Sequence, residues 1–210
     1  FEIRSRQDGR LNVKPVLGSA IKLPVPTNSL DIVAFNGVLE WLGGTDKTRS
    51  PMDLQQEALQ EAWRVLKPGG HVYIGIENRF SLRSMLGDHD DHSFMRFTSL
   101  MPRSVANLYC RLRTGEPYFT YTHSLAEYHG LLHEAHFADI RSYFPWPDYR
   151  NPISIVPLER GPVLEHLSSL SSSESTSSIR QRVYLSLLKM LTACEGKGRL
   201  CHSFCFVARK

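Results

Sequence analysis

The chain has 210 residues, of which 41% are hydrophobic and 22% charged, enough to bury a core and too apolar for a disordered tail. The net charge of +4 is too small to argue for a duplex-binding protein, and the most apolar late stretch, 183–191, is broken by Ser186 and Lys189, so no membrane span is expected. With no leader pattern and four cysteines (Cys110, Cys194, Cys201, Cys205) lacking CxxC spacing, the expected setting is cytoplasmic, with reduced thiols.

Residues 1–8 read as a helical end closed by Gly9, and 12–17 as a short strand closed by Gly18. After the prolines Pro24 and Pro26, the apolar burst 30–35 has the character of a strand buried on both faces. Ser50-Pro51-Met52-Asp53 is a helix start, with Ser50 as cap, Pro51 in the first helical position and Asp53 completing a capping box. Leu54, Ala58, Ala62, Val65 and Leu66 then form one apolar stripe. Pro68-Gly69-Gly70 ends that helix and 72–76 is a second apolar strand, so the order strand, helix, strand indicates a parallel βαβ unit. Residues 79–122 are a long excursion rich in arginine and aromatics, with six arginines against three aspartates between Arg79 and Arg113. Helical spacing resumes after Ser124, 140–146 reads as a strand, 162–170 as weakly helical and 168–178 as a serine-rich linker. An amphipathic helix over 182–194 and a last strand over 203–208 complete the chain.

The stretches 23–42 (LPVPTNSLDIVAFNGVLEWL) and 57–78 (EALQEAWRVLKPGGHVYIGIEN) together resemble class I S-adenosylmethionine-dependent methyltransferases. The shared elements are Leu23-Pro24 and Ser29-Leu30-Asp31 before the fourth strand of that family, Val38-Leu39-Glu40-Trp41 after it, and Arg64-Val65-Leu66-Lys67-Pro68-Gly69-Gly70 before the fifth. The resemblance implies an α/β, Rossmann-like sheet, mostly parallel with an antiparallel last strand. It also implies that this chain lacks the first strands, the glycine-rich cofactor loop and the ribose-binding acid, so the chain reads as the C-terminal two-thirds of such an enzyme. The implied division is a core over 1–147 with 79–122 as a substrate or lid insertion, a helical insertion over 148–200, and the final core strand over 201–210. S-adenosylmethionine is the implied cofactor, held by Gly18, Ser19, Ala20, Asn36, Gly37 and Val38. Ser19 stands where the family often has an aspartate on the adenine edge, and can accept a hydrogen bond without charge. With only that wall present, the isolated chain is expected to bind the cofactor weakly and to be poorly soluble.

The chemistry-bearing residues admit a sharp and a plain reading each. Asn36 lines the ligand or merely ends a strand, and Glu40 faces the substrate or merely solvent. In Asp88-His89-Asp90-Asp91-His92, His89 or His92 with an aspartate such as Asp91 behind it suits a general base for methyl transfer to a hydroxyl; the same run also suits a solvated turn. No metal is expected there, nor at His129, His133 and His136, which lack a fourth ligand. Arg79, Arg83 and Arg96 with Tyr121 suit a small or glycan-like anionic acceptor, or else pack a lid. Nucleic acid is not expected as a partner, since lysines do not cluster, and the sequence leaves the oligomeric state undetermined. The competing function is a non-catalytic, methyltransferase-like binding or scaffold domain.

Overall fold

The computed structural model describes residues 12–172, 178–195 and 198–210. In chain order the regular elements are β1 (Leu30–Asn36), a 3-10 turn (Leu39–Gly44), α1 (Pro51–Val65), β2 (Leu66–Glu77), α2 (Leu82–Met85), a second 3-10 turn (Thr98–Leu100) and α3 (Arg103–Thr114). They continue as α4 (Leu125–Glu134), β3 (Ala138–Trp146), β4 (Ser154–Pro157), α5 (Arg160–Ser172), α6 (Ile179–Glu195) and β5 (Ser203–Arg209). One five-stranded sheet runs in the order β1-β2-β5-β3-β4.

The expected βαβ unit forms. Leu54, Ala58, Leu59, Ala62 and Val65 of α1 are all buried, and β1 pairs parallel to β2. Between Leu30↔Leu66 and Ile32↔His71 the register jumps, so the Lys67-Pro68-Gly69-Gly70 segment is accommodated as a bulge. Gly69 takes a φ of +81°, a left-handed conformation that suits glycine. The last strand is inserted antiparallel between β2 and β3, as expected, while parallel pairing among the described strands is confined to β1–β2. Because β5 is antiparallel to both β2 and β3, β3 runs in the same direction as β1 and β2, reached through a crossover that includes α4, and β5 separates it from them. One buried cluster unites the sheet residues Phe35, Ile74, Phe144, Phe204 and Phe206 with helix residues such as Leu59, Leu132, Leu167 and Leu188.

Several expectations fail. Residues 12–17 form no strand; Val16 and Leu17 are exposed, and the segment enters a turn closed by an isolated Ser19↔Lys22 bridge. A lone extended segment gains nothing without a partner strand, and none of the described strands pairs with it. Ser50 precedes α1 as expected but makes no side-chain cap bond, so the capping box with Asp53 is absent; its carbonyl accepts the first bond of the helix, from Leu54 N. Ser124 and Glu127, by contrast, do form a reciprocal capping box at α4. The stretch 148–200 is not purely helical, because β4 joins the sheet beside β3. The serine-rich run begins as the end of α5, and 173–177, like the helical end expected over 1–8, lies outside the described residues. His136 lies beyond α4 at a φ of +68° against Trp63, whereas His129 bonds Ser142 on β3, so the three histidines share no ligand site.

Candidate functional site

The carboxyl ends of β1 and β2 meet the returning segments 88–92 and 148–150. Gln55 organises this corner from within α1: its Nε2 donates to the carbonyls of Leu39 (3.0 Å) and Tyr121 (2.7 Å), and its Oε1 lies 2.7 Å from His123 Nε2. The ring of His123 is buried, which pushes its pKa down to about 4, so it is neutral at physiological pH. Tyr121 N in turn donates to the Glu40 carbonyl at 3.0 Å. The first 3-10 turn is thereby clamped, and it carries the Glu40 side chain inward to 1% exposure.

Glu77, the last residue of β2, is 8% exposed and accepts a 2.9 Å hydrogen bond from Tyr149 Oη. Glu40 Oε2 and Glu77 Oε2 are both buried and have no hydrogen-bond partner. Burial first, then the nearby Glu77 charge, pushes the Glu40 carboxyl up to about 8, with Arg150 opposing. His92 completes the group: its Nε2 is 3.9 Å from Glu40 Oε1, its Nδ1 is 3.9 Å from Asp90 Oδ1, and Trp41 packs edge-on against its ring. Asp90 shapes the loop by accepting from the backbone N–H groups of His92 (3.0 Å) and Ser93 (2.8 Å) through Oδ1 and from Tyr118 Oη through Oδ2. A cavity of about 100 Å³ adjoins these groups, and its lining includes Glu77, His89, Asp91, His92, Arg83 and Arg150.

The structure therefore brings His92, Glu40 and the 88–92 run together at a wall the sequence reading had split between catalytic and substrate roles. Asp91, however, is held by Arg150 at 2.8 Å rather than backing an imidazole. His89 lines the cavity and bridges backbone with Arg96, which places that arginine in the loop's own turn. Arg79 donates from Nε to the Ser99 carbonyl (3.0 Å) and from Nη2 to that of Met101 (3.3 Å), stapling the insertion together. Arg83 lies over the Tyr184 ring, and Tyr121 under the Arg103 guanidinium.

The six residues matched to the cofactor occupy other positions. Asn36, Gly37 and Val38 are at the carboxyl end of β1, where Val38 and Trp41 are exposed. Gly37 has a φ of +67°, and the space a Cβ would take is filled by Tyr149, whose Oη lies 2.7 Å away. Its close approach is thus to an internal tyrosine. Gly18, Ser19 and Ala20 lie in the turn before Leu23, whose N–H donates to Glu61 of α1, outside the cavity lining. Sequence reasoning missed Glu77, Asp148, Tyr149, Arg150 and His202. Glu77 alone carried a signal, an acid ending a fully apolar strand; Asp148, Tyr149 and Arg150 arrive from a proline-rich segment with no periodicity, and His202 from the bend just before β5.

Residues 2–74 match the family model described as a methyltransferase domain. No curated protein sequence matches the chain. Among solved structures, an S-adenosylmethionine-dependent methyltransferase from Thermotoga maritima aligns over 100% of this chain and 70% of its own, at 14% identity and a TM-score of 0.51. One from Archaeoglobus fulgidus aligns over 100% and 72%, at 17% identity and a TM-score of 0.48. Phosphoethanolamine N-methyltransferase 2 of Haemonchus contortus aligns over 99% of this chain but only 39% of its own length, at 16% identity and a TM-score of 0.45. The class I methyltransferase resemblance read from the sequence is borne out, and the fold is the Rossmann-like one it implied.

Proposed function

From a chain with the class I methyltransferase fold and a methyltransferase-domain match over its first third, we propose that the protein methylates a small acceptor bound in the cavity between the end of β2 and the 88–92 loop. The observation that carries this is the pair of buried acids, Glu40 and Glu77, at the carboxyl ends of the strands, where open α/β sheets bind ligands. The cofactor is S-adenosylmethionine, whose sulfonium supplies an electrophilic methyl group for in-line displacement. The residues described supply one wall for it. The exposed Val38 and Trp41 offer apolar contact beyond β1, whereas the side of Gly37 is already occupied by Tyr149.

This chain's own work is on the acceptor. Arg79 is engaged with backbone carbonyls and Arg150 with Asp91 and Asp148, while Glu77, Asp88, Asp90 and Asp91 all line the cavity. That balance favours an uncharged or cationic acceptor presenting a hydroxyl or an amine over the small or glycan-like anionic acceptor that the arginines suggested. Glu77, His89 and His92 in the lining are groups able to receive the proton such an acceptor loses. A purely structural scaffold has no use for two buried carboxyl groups at its strand ends that each leave one oxygen without a partner, so the catalytic reading is preferred to the non-catalytic one.

The test is transfer of labelled methyl from S-adenosylmethionine to panels of small amines, alcohols, phosphates and carboxylates. Transfer to amines or alcohols, sharply reduced in Glu77→Gln, is expected. Transfer only to the anions would reverse the acceptor assignment. Absence of both cofactor binding and transfer would remove the reading altogether.

A further inference from the structure

We propose that Glu40, Glu77 and His92 form a binding site for a first-row divalent cation of the zinc type, at the inner wall of the cavity. One candidate ligand atom from each lies within 4.8 Å of the other two. Zinc holds carboxylate oxygen and imidazole nitrogen at about 2.0–2.2 Å, which sets tetrahedral donor atoms about 3.2–3.6 Å apart. Closing the present gaps, such as the 3.9 Å between His92 Nε2 and Glu40 Oε1, takes side-chain shifts below an ångström or so.

The acid cluster is not the only ground. Glu40 is 1% exposed and its Oε2 has no partner, and Glu77 Oε2 is in the same condition. Two carboxylates facing one another in dry surroundings repel, and a cation between them removes the repulsion while supplying the missing partner to both oxygens. The supporting groups are already placed. Tyr149 Oη holds Glu77 Oε1, leaving Oε2 for the ion, and the Glu40 backbone is fixed through Tyr121 N. Asp90 Oδ1 stands 3.9 Å from His92 Nδ1, longer than a hydrogen bond but within about an ångström of the contact by which a carboxylate orients a metal-bound imidazole. Glu77 and His92 both line the cavity, which gives the ion a way in and leaves its fourth position for water.

A neighbouring group of the same composition serves as a control within the molecule. Asp91, Asp148 and His202 are also close enough to hold an ion, but Arg150 Nη2 already lies 2.8 Å from Asp91 Oδ2 and 2.7 Å from Asp148 Oδ2. The cation position there is taken. An imidazole in the donor set, rather than oxygen alone, favours zinc-type ions over calcium or magnesium.

The inference does not depend on methyl transfer, and its test uses neither cofactor nor acceptor. Chelator-treated protein is titrated with zinc chloride, with magnesium and calcium chloride in parallel, by calorimetry and by thermal melting. One equivalent of zinc is expected to bind and raise the melting temperature. Binding should weaken about tenfold or more in Glu40→Gln, Glu77→Gln and His92→Ala, and remain unchanged in Asp91→Asn. Melting of the metal-free variants shows that they fold, and Glu40→Gln, which removes a buried carboxyl, is the variant on which the result rests. Zinc binding unaltered by Glu40→Gln and His92→Ala overturns the site, as does absence of binding or equal binding of magnesium.

Discussion

Two clusters, each of two carboxylates and an imidazole, flank the same cavity and are solved in opposite ways. In the outer one Asp148 accepts from Arg150, whose guanidinium also bonds Asp91, and His202 Nε2 lies 3.3 Å from Asp148. Although burial pulls the other way, hydrogen bonds from His202 and Arg150 hold the Asp148 carboxyl well below the ordinary range. In the inner one, Glu40 and Glu77 lack any such cation, and burial together with the neighbouring charge drives Glu40 up to about 8. Composition is therefore a poor guide to the behaviour of an acidic cluster. What matters is whether a guanidinium reaches it. The outer cluster contributes structure, whereas the inner one keeps an unmet demand for a proton or a cation, which is the property expected of a functional site.

The largest effect should come from dismantling the satisfied cluster. Asp148→Ala leaves Arg150 and His202 without their shared partner and is expected to cost about 2–4 kcal/mol in urea denaturation. A cost near zero would mean that the outer cluster is not structural. Gly37→Ala, next in size, forces a left-handed backbone on alanine and pushes its Cβ against Tyr149 Oη, for about 1–3 kcal/mol.

Glu40→Gln should move in the other direction, and its pH dependence separates the clusters. A carboxyl raised from 4.5 to about 8 on folding contributes stability that is full below pH 4.5 and lost as the pH climbs to 8. In chelator-treated protein the variant should therefore gain on the wild type progressively across that window, by about 1–3 kcal/mol at pH 8. A variant less stable than the wild type at pH 8 would show that Glu40 has a partner after all. Asp148 has the reverse sign: its folded-state value is lowered, so its contribution is full above the ordinary aspartate value and lost as the pH falls below it, through the lowered folded-state value. The smallest change is Tyr149→Phe, which removes one hydrogen bond to Glu77 and should cost about 1 kcal/mol in the same denaturation assay.

Legibility differed sharply between these regions. The β1-α1-β2 unit was readable because its signals are local: an apolar run, a helical stripe, a proline at the first helical position and glycines where the chain reverses. The expected strand over 12–17 had the right residue types, yet a strand is a pairwise object and no described strand pairs with it. At the site, Glu40 and His92 were singled out as residues, but for roles in separate places. Arg79 looked available to a substrate from its surroundings in sequence, whereas its hydrogen bonds go to Ser99 and Met101 across the insertion.

By itself, the sequence determined which segments become strands and helices in the βαβ core, because periodicity and turn chemistry act over a few residues; the methyltransferase fold came from the resemblance of its motifs to a known family. Only the tertiary structure decided which carboxylates are neutralised. Arg150 and Asp91 are 59 residues apart, and Tyr149 and Glu77 are 72 apart. Whether such groups meet depends on where β4, β5 and the 79–122 excursion come to rest. The electrostatics that distinguish a structural acid from a functional one are set by contacts a few ångströms long, and no spacing along the chain encodes them.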